Sequence, residues 1–264
     1  MSRSTTSVAA LLCLSLPALA GCATLRERQQ AGGTRYWPTA ARWKSAATGA
    51  LKDPHTWAPA AGAALFAATG WDDNLSSWAT RKTPIFSSPR GAQDVSDTLR
   101  DWSEYAMYAT GVAAPGRKAA WGSRAERLLL EYLGDEATSR ATTTLKKATD
   151  RERPDHSDRL SFPSGHSSEA FYRVGMARRN VDATGLPEGA KLGIKIGLDA
   201  LAVGTAWARV EGGVHYPADV MAGAALGNFV ALFLNDAFLA PGAPVAIRAR
   251  VGPDDFFLGM ALSY

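Results

Sequence analysis

Three short clusters of polar residues lie within 74 positions of this chain and combine residue types that can do chemistry together. In chain order they read Lys146-x6-Arg153-Pro154, Pro163-Ser164-Gly165-His166 and Arg209-x5-His215-x3-Asp219. Arginine grips two oxygens of an anion in a planar fork, and imidazole attacks, donates or accepts protons near neutral pH. The clusters therefore indicate a site that holds an anion and transforms it.

The cationic residues are Lys146, Arg153 and Arg209. A phosphoryl group in transfer spreads negative charge over three oxygens, so its catalysis is mainly positioning and charge stabilisation. Hydrogen bonds to a charged partner contribute roughly 1.5–3 kcal/mol each. Three permanent or near-permanent cations suit such an anion.

The second cluster is predicted to begin a helix. Ser164 suits the N-cap, and Gly165 has no side chain to block the approach of an anion to the backbone. The free N–H groups of that first turn face outward, so Ser164 and Gly165 are candidate donors and His166 stands beside them.

The third cluster is predicted to begin another helix, with Pro217 at its first position. This places His215 just before the helix and Asp219 in its first turn, where the carboxylate reaches back to one imidazole nitrogen. The other nitrogen then keeps its lone pair free to attack. Taken singly, each cluster also has an ordinary structural explanation, such as a helix cap or a solvated helix end.

Taken together, the clusters resemble the signature of the type-2 phosphatidic acid phosphatase family, which includes class A acid phosphatases and vanadium haloperoxidases. The signature spans residues 146–219 and departs at one position, where Ala208 replaces the usual serine before Arg209. The resemblance implies an all-α helical bundle of the acid phosphatase/vanadium haloperoxidase type. It implies a phosphatase reaction that needs no cofactor and no metal site.

The same resemblance implies residue roles. His215 would be the nucleophile that forms a phosphohistidine, Asp219 would orient it, and His166 would protonate the leaving oxygen. The phosphate-binding residues would be Lys146, Arg153, Ser164, Gly165 and Arg209. The substrate would be a phosphomonoester or a lipid (di)phosphate. Two alternatives are a vanadate-dependent haloperoxidase and a non-catalytic lipoprotein that binds phosphate or a lipid headgroup.

The N-terminus indicates export. Residues 1–21 have the pattern of a signal peptide, and Leu19-Ala20-Gly21-Cys22 resembles the lipobox of bacterial lipoproteins, in which Cys22 carries the lipid. Ala23 after the lipidated cysteine favours the outer membrane, so the expected location is the periplasmic face of that membrane. An ordinary signal peptide with a chance cysteine is the alternative. Residues 22–35 are predicted to be a polar tether and residues 36–264 the phosphatase domain.

Composition fits this organisation. The chain has 264 residues, is 46% hydrophobic, and carries a net charge of +4, too mild for a nucleic-acid-binding protein. The expected partners are the phosphate ester, which includes a membrane lipid as one option, and the membrane that receives the anchor. The oligomeric state and the particular ester are left open.

The body of the chain is predicted to be helical. Periodicity and capping residues predict helices over 58–69, 94–110, 123–148, 164–178, 188–210 and 217–239. No apolar run is expected to be long enough to cross a bilayer, because the longest covers only residues 220–234. A short β-hairpin is predicted near the C-terminus. Trp71-Asp72-Asp73-Asn74 is predicted to be a helix-capping turn. Trp57, Trp71 and Trp78 are expected to pack in the core, with a membrane-facing rim as the alternative.

Overall fold

The computed structural model describes residues 38–115, 121–240, 246–251 and 256–261. Its helices are α1 (Ala40–Lys52), α2 (Pro54–Thr69), α3 (Trp71–Lys82), α4 (Pro89–Ala113), α5 (Trp121–Thr149), α6 (Gly165–Asp182), α7 (Glu188–Glu211) and α8 (Pro217–Leu234). A π-helical turn, Asn235–Leu239, continues α8. The all-α helical architecture predicted from the sequence is confirmed. The predicted signal peptide, Cys22 and the tether lie outside the described residues.

Two short strands follow the helices. β1 (Ala246–Val251) and β2 (Phe256–Ala261) pair antiparallel, with Ala246 opposite Ala261 and Val251 opposite Phe256. β1 lies against α5. The pair corresponds in place to the hairpin expected from the alternating residues there.

Helices α1 and α3 were not predicted from the sequence. Thr39 caps α1 by accepting a hydrogen bond from the backbone N–H of Arg42 at 3.0 Å. Residues 71–74, predicted to be a helix-capping turn, form the first turn of α3. Gly70 takes a left-handed conformation, with φ of 70°, and so separates α3 from α2. Both helices are short, with 13 and 12 residues, so each offers few turns over which a pattern can be read.

Helix α8 lies at the centre and contacts α1, α2, α3, α5, α6 and α7. It approaches α6 backbone to backbone. A Cβ atom at Gly223 would lie 2.6 Å from the carbonyl oxygen of Ser164, and one at Gly227 would lie 2.2 Å from that of Ser168. Both distances are shorter than any stable contact between such atoms. Glycine is therefore required at both positions for this packing.

One helical stretch among the described residues, Pro217–Leu239, is long and apolar enough to cross a membrane. The expectation that no stretch would reach this length is wrong. However, 61% of its most apolar window is buried inside the structure, as expected of the central helix of a bundle. The same stretch carries Asp219 of the third sequence cluster.

The three tryptophans expected in the core lie at the surface. Trp57, Trp71 and Trp78 are 53%, 54% and 43% exposed, so the expectation that they pack in the core is wrong. Trp71 packs edge-on against Phe66, and Trp78 lies beside Trp207. Each ring thus keeps one side in contact with the protein and presents the other to the surroundings.

Away from the sequence clusters, a carboxylate is buried where α4, α5 and α6 meet. Glu131 is fully buried and accepts a hydrogen bond from Asn180 at 2.7 Å, and within the part of the chain that the structure describes its Oε2 atom has no hydrogen-bond partner. Burial raises the pKa of Glu131 to about 7, although Asn180 and Arg127 oppose the shift. The folded protein therefore binds a proton here more tightly than the unfolded chain does.

Glu131→Gln should change the pH dependence of stability. Because the folded-state pKa is raised, the wild-type free energy of unfolding should fall as pH rises from about 4.5 to about 7. The glutamine variant keeps the acceptor for Asn180 and lacks the charge. The free energy of unfolding of the variant minus that of the wild type should therefore be roughly 2–3 kcal/mol more favourable to the variant at pH 8 than at pH 4.5. Urea unfolding at both pH values measures this. The exposed Glu136→Gln on the same helix is the control, and an equal response of the two variants would contradict the prediction.

Candidate active site

The ends of four helices bring the three clusters together. Lys146 lies in the last turn of α5, Gly165 begins α6, Arg209 lies in the last turn of α7, and Pro217 begins α8. The backbone N–H of Ser164 donates to the carbonyl of Asp219 at 3.0 Å and joins the starts of α6 and α8. In the loop between α5 and α6, the carbonyl of Leu160 accepts a hydrogen bond from Lys146 Nζ.

His215 is the most deeply buried of the cluster side chains that could attack an anion. It is 1% exposed, and its Nδ1 lies 3.6 Å from Asp219 Oδ2, close but longer than a hydrogen bond. Burial lowers the pKa of His215 to about 3; the positive charges of Lys146 and Arg209 add to this, and Asp219 opposes it. The ring is therefore neutral at any ordinary pH, as a nucleophile requires.

Asp219 is fully buried and is held at both oxygens. Oδ2 accepts from the backbone N–H of Tyr216 at 2.9 Å and from Ser161 Oγ at 2.5 Å, and Oδ1 accepts from Arg151 at 2.7 Å. Burial alone would raise the pKa of this carboxyl, but the contacts with His215, Ser161 and Arg151 outweigh burial and hold the pKa below its ordinary value. Asp219 is thus an oriented anion next to His215.

The three predicted cations repel one another. Burial lowers the pKa of Lys146 to about 8, with further lowering by Arg153, and burial with the charge of Arg153 lowers the pKa of Arg209 to about 10. Arg209 is 9% exposed, and its Nε atom has no hydrogen-bond partner among the described residues. The buried Ala208 beside it carries no hydroxyl. An anion bound here would relieve the repulsion and accept from the free Nε donor.

The start of α6 lies beside these cations. A Cβ atom built at Gly165 would be 3.9 Å from Lys146 Cε. Ser164 is fully buried, and its Oγ lies 3.5 Å from the backbone N–H of Ser167, which leaves the hydroxyl proton available to an acceptor. The predicted donors and the predicted cations therefore share one small region, and the positive charge of Arg209 lowers the pKa of both His166 and His215.

His166 projects toward α4, which the sequence analysis did not connect with the site. Its Nε2 lies 2.5 Å from Asp97 Oδ1 and 3.3 Å from Arg100 Nη1. Burial and the charge of Arg209 lower the pKa of His166 to about 4, Asp97 opposes the shift, and Arg100 adds to it. The side chain of His166 is 20% exposed, compared with 2% for that of His215, so His166 lies nearer the mouth of the site.

Arg151 was also missed. Its guanidinium bridges Asp219 and Asp72, at 2.7 Å to each carboxylate, and lies 4.2 Å from the centroid of the Tyr216 ring. Asp72, in the first turn of α3, in turn accepts from the backbone N–H of Ala218 at 2.8 Å. The alternation of Arg151 with Arg153 before Pro154 was the available signal, but which carboxylates it meets depends on the fold.

Arg151→Gln should destabilise the protein by about 1–3 kcal/mol, because it leaves two carboxylates that are at most 5% exposed without their cation. The value stays below that of a fully buried pair, since the Arg151 side chain is 31% exposed. Thermal and urea unfolding measure the change. Arg159→Gln, which removes a 59% exposed partner of Asp150, is the matched control and should cost at most about 0.5 kcal/mol. Equal losses in the two variants would contradict the prediction.

The remaining polar residues of the loop between α5 and α6 pair with one another. His156 is largely exposed and contacts Glu152, Arg159 pairs with Asp150, and Asp158 accepts from Arg153 at 2.7 Å. His156 is therefore a solvated loop residue, and Asp150, Glu152 and Asp158 are salt-bridge partners of arginines. Their pairing shapes the loop that carries Arg153.

The part of the chain that holds the three clusters is similar to a known protein family. The family model described as the PAP2 superfamily matches residues 128–240, a range that includes all three clusters. The resemblance to the type-2 phosphatidic acid phosphatase family seen in the sequence is thereby confirmed. The family match supports phosphatase chemistry.

A solved structure described as the first transmembrane PAP2 type phosphatidylglycerolphosphate phosphatase from Bacillus subtilis is similar to this chain. The TM-score is 0.51 and the sequence identity 22%, over 69% of this chain and 92% of the other. At that identity the likeness shows the fold alone. No curated protein matches the chain significantly.

Proposed function

We propose that this protein is a phosphatase that hydrolyses phosphomonoesters or lipid (di)phosphates through a phosphohistidine intermediate. The observation that carries the proposal is a buried, neutral His215 next to an oriented carboxylate and within the field of Lys146 and Arg209. A neutral imidazole attacks phosphorus, and clustered cations stabilise the charge that spreads over the transferred group.

In the first step the phosphate oxygens are held by Lys146, Arg153 and Arg209 and by the donors at the start of α6. His215 Nε2 attacks phosphorus, and the bond from phosphorus to the leaving oxygen breaks. That oxygen takes the electron pair together with a proton from His166. Asp219 stabilises the charge that develops on the His215 ring.

In the second step His166, now neutral, removes a proton from water. The water oxygen bonds to phosphorus, and the phosphorus–nitrogen bond breaks with its electron pair returning to His215. Inorganic phosphate leaves, and both histidines regain their starting protonation states. Attack and proton transfer thus use two imidazoles that must hold opposite states. Burial lowers the pKa of both rings in the empty site, to about 3 for His215 and about 4 for His166, so the negative charge of the bound ester has to raise the pKa of His166 for this ring to enter the reaction protonated.

Release of inorganic phosphate by the purified full-length chain tests the proposal. Paired substrates, such as a phosphatidic acid in detergent and glycerol 3-phosphate in water, separate lipid from soluble specificity. Absence of release from every ester would overturn the proposal. Binding of the esters without turnover would indicate the headgroup-binding lipoprotein, and bromide oxidation by peroxide in vanadate-loaded protein would indicate the haloperoxidase.

For the location, we propose export and anchoring of Cys22 at the periplasmic face of the outer membrane. The lipobox-like residues 19–22 support this proposal, as does Ala23 after them. A labelled fatty acid should be incorporated into the wild-type chain and absent from Cys22→Ser. Equal labelling of the two would rule out the anchor, and fractionation of the membranes tests the outer location.

A further inference from the structure

Helix α4 presents two charged side chains to His166 on one face. Asp97 and Arg100 lie three residues apart, so they are neighbours on the helix surface. The helix is fixed at this point, because the carbonyl of Arg100 accepts hydrogen bonds from Arg173 at 3.2 Å and from Ser103 at 2.5 Å. The backbone that carries the two charges is therefore anchored beside the imidazole.

The two contacts with His166 Nε2 differ in kind. A separation of 2.5 Å between Nε2 and Asp97 Oδ1 requires a hydrogen atom between them, because an ionised carboxylate only accepts. Arg100 only donates, so its Nη1 at 3.3 Å cannot share that hydrogen and acts as a positive charge nearby. The proton on Nε2 thus faces an attracting carboxylate and a repelling guanidinium.

We propose that Asp97 and Arg100 are positioning residues for the proposed reaction: Asp97 holds the Nε2 proton of His166 until the leaving oxygen takes it, and Arg100 limits how tightly it is held. The inference rests on the proposed function. During the first step the proton moves from Nε2 to the leaving oxygen, and Asp97 remains a carboxylate. During the second step Nε2 regains a proton from water.

The charges that face His166 give the direction of each effect. Arg209 of α7 and Arg100 of α4 disfavour the imidazolium, and Asp97 of α4 favours it. Partial burial raises the pKa of Asp97, but its contact with His166 lowers it below the ordinary range. Removing Asp97's charge should therefore weaken proton binding at Nε2, and removing Arg100's charge should strengthen it.

The test is the pH profile of kcat/KM for an alkyl phosphate, measured with full-length protein. Asp97→Asn should move the alkaline limb, where His166 loses its proton, to lower pH by about one unit, and Arg100→Gln should move it to higher pH by about the same amount. Arg100→Lys keeps the charge and should restore the wild-type profile. The controls are Asp94→Asn and Arg90→Gln, which change the same charges at exposed positions of α4. Limbs that do not move, or that move as in the controls, would overturn the inference.

A second measurement separates this inference from the phosphatase assignment. The chain has four histidines, so the ring signals of His166 can be assigned from single substitutions and titrated by NMR in the empty protein. Arg100→Gln should raise the pKa of the His166 ring, and Asp97→Asn should remove the downfield signal of the proton shared with Asp97. If these changes occur but the protein hydrolyses no ester, the effect of Asp97 and Arg100 on His166 is supported and the phosphatase proposal is rejected. If the protein hydrolyses esters but these changes do not occur, the phosphatase proposal stands and the inference about Asp97 and Arg100 is rejected.

Discussion

Replacement of His215 by alanine should lower the turnover of every phosphate ester by at least roughly 10⁴-fold, because no other described group is placed to form the covalent intermediate. The ring is 1% exposed, and burial holds its pKa near 3, so it is available as a neutral nucleophile throughout the working range. Cations alone would still bind the ester, so KM should change far less than kcat.

Phosphate release by the purified full-length protein measures this loss, and acid-quenched reactions with labelled ester should trap phosphate on wild-type protein only. A buried ring leaves a cavity when truncated, so His215→Gln serves as a second variant of similar size. His156→Ala, at a ring whose side chain is 77% exposed, is the matched control and should retain activity. Trapped phosphate or full turnover in either His215 variant would end the assignment of this residue as nucleophile.

Replacement of His166 by alanine should lower kcat/KM, which reports the first step, by roughly 10²–10⁴-fold for an alkyl phosphate and much less for nitrophenyl phosphate. An alkoxide is too basic to depart without a proton, whereas a nitrophenolate leaves unaided. The loss should therefore increase with the pKa of the leaving alcohol. A structural role for His166 would lower both rates alike.

A series of aryl and alkyl phosphates gives this dependence directly as the slope of log kcat/KM against the pKa of the leaving group. The slope should be steep in the His166 variant and shallow in the wild type. Circular dichroism and thermal unfolding check that the variant folds, since the side chain is 20% exposed and lies near the mouth. Equal slopes would show that His166 does not supply the proton.

The cluster residues were predictable from the sequence because each cluster is local. Pro163 to His166 and His215 to Asp219 encode helix starts within a few residues, and helix starts orient their own side chains and N–H groups. The fold class followed from the same residues through the family resemblance. The two missed helices, α1 and α3, are only 13 and 12 residues long, and helices of that length depend on packing, here against α8.

The supporting contacts could not be predicted, because they join positions that are distant in sequence. Asp97 lies 69 residues before His166, and Asp72 lies 79 residues before Arg151. Which face of α4 or α3 meets the site depends on how the helices pack, and periodicity leaves that choice open. The exposed tryptophans were mispredicted for a related reason, since large apolar side chains are common on protein surfaces as well as in cores.

Because Gly223 and Gly227 have no side chains, the backbone of α8 lies directly against that of α6. This contact fixes the position of His215, just before α8, relative to His166 in the first turn of α6. The helix that follows the proposed nucleophile His215 and the helix that carries the proposed proton donor His166 are therefore expected to move together. Neither partner can slide without breaking the hydrogen bond between Ser164 and Asp219. Adaptation to new esters is therefore expected at the periphery, along α4 and the α5–α6 loop, while the α6–α8 seam tolerates almost no change.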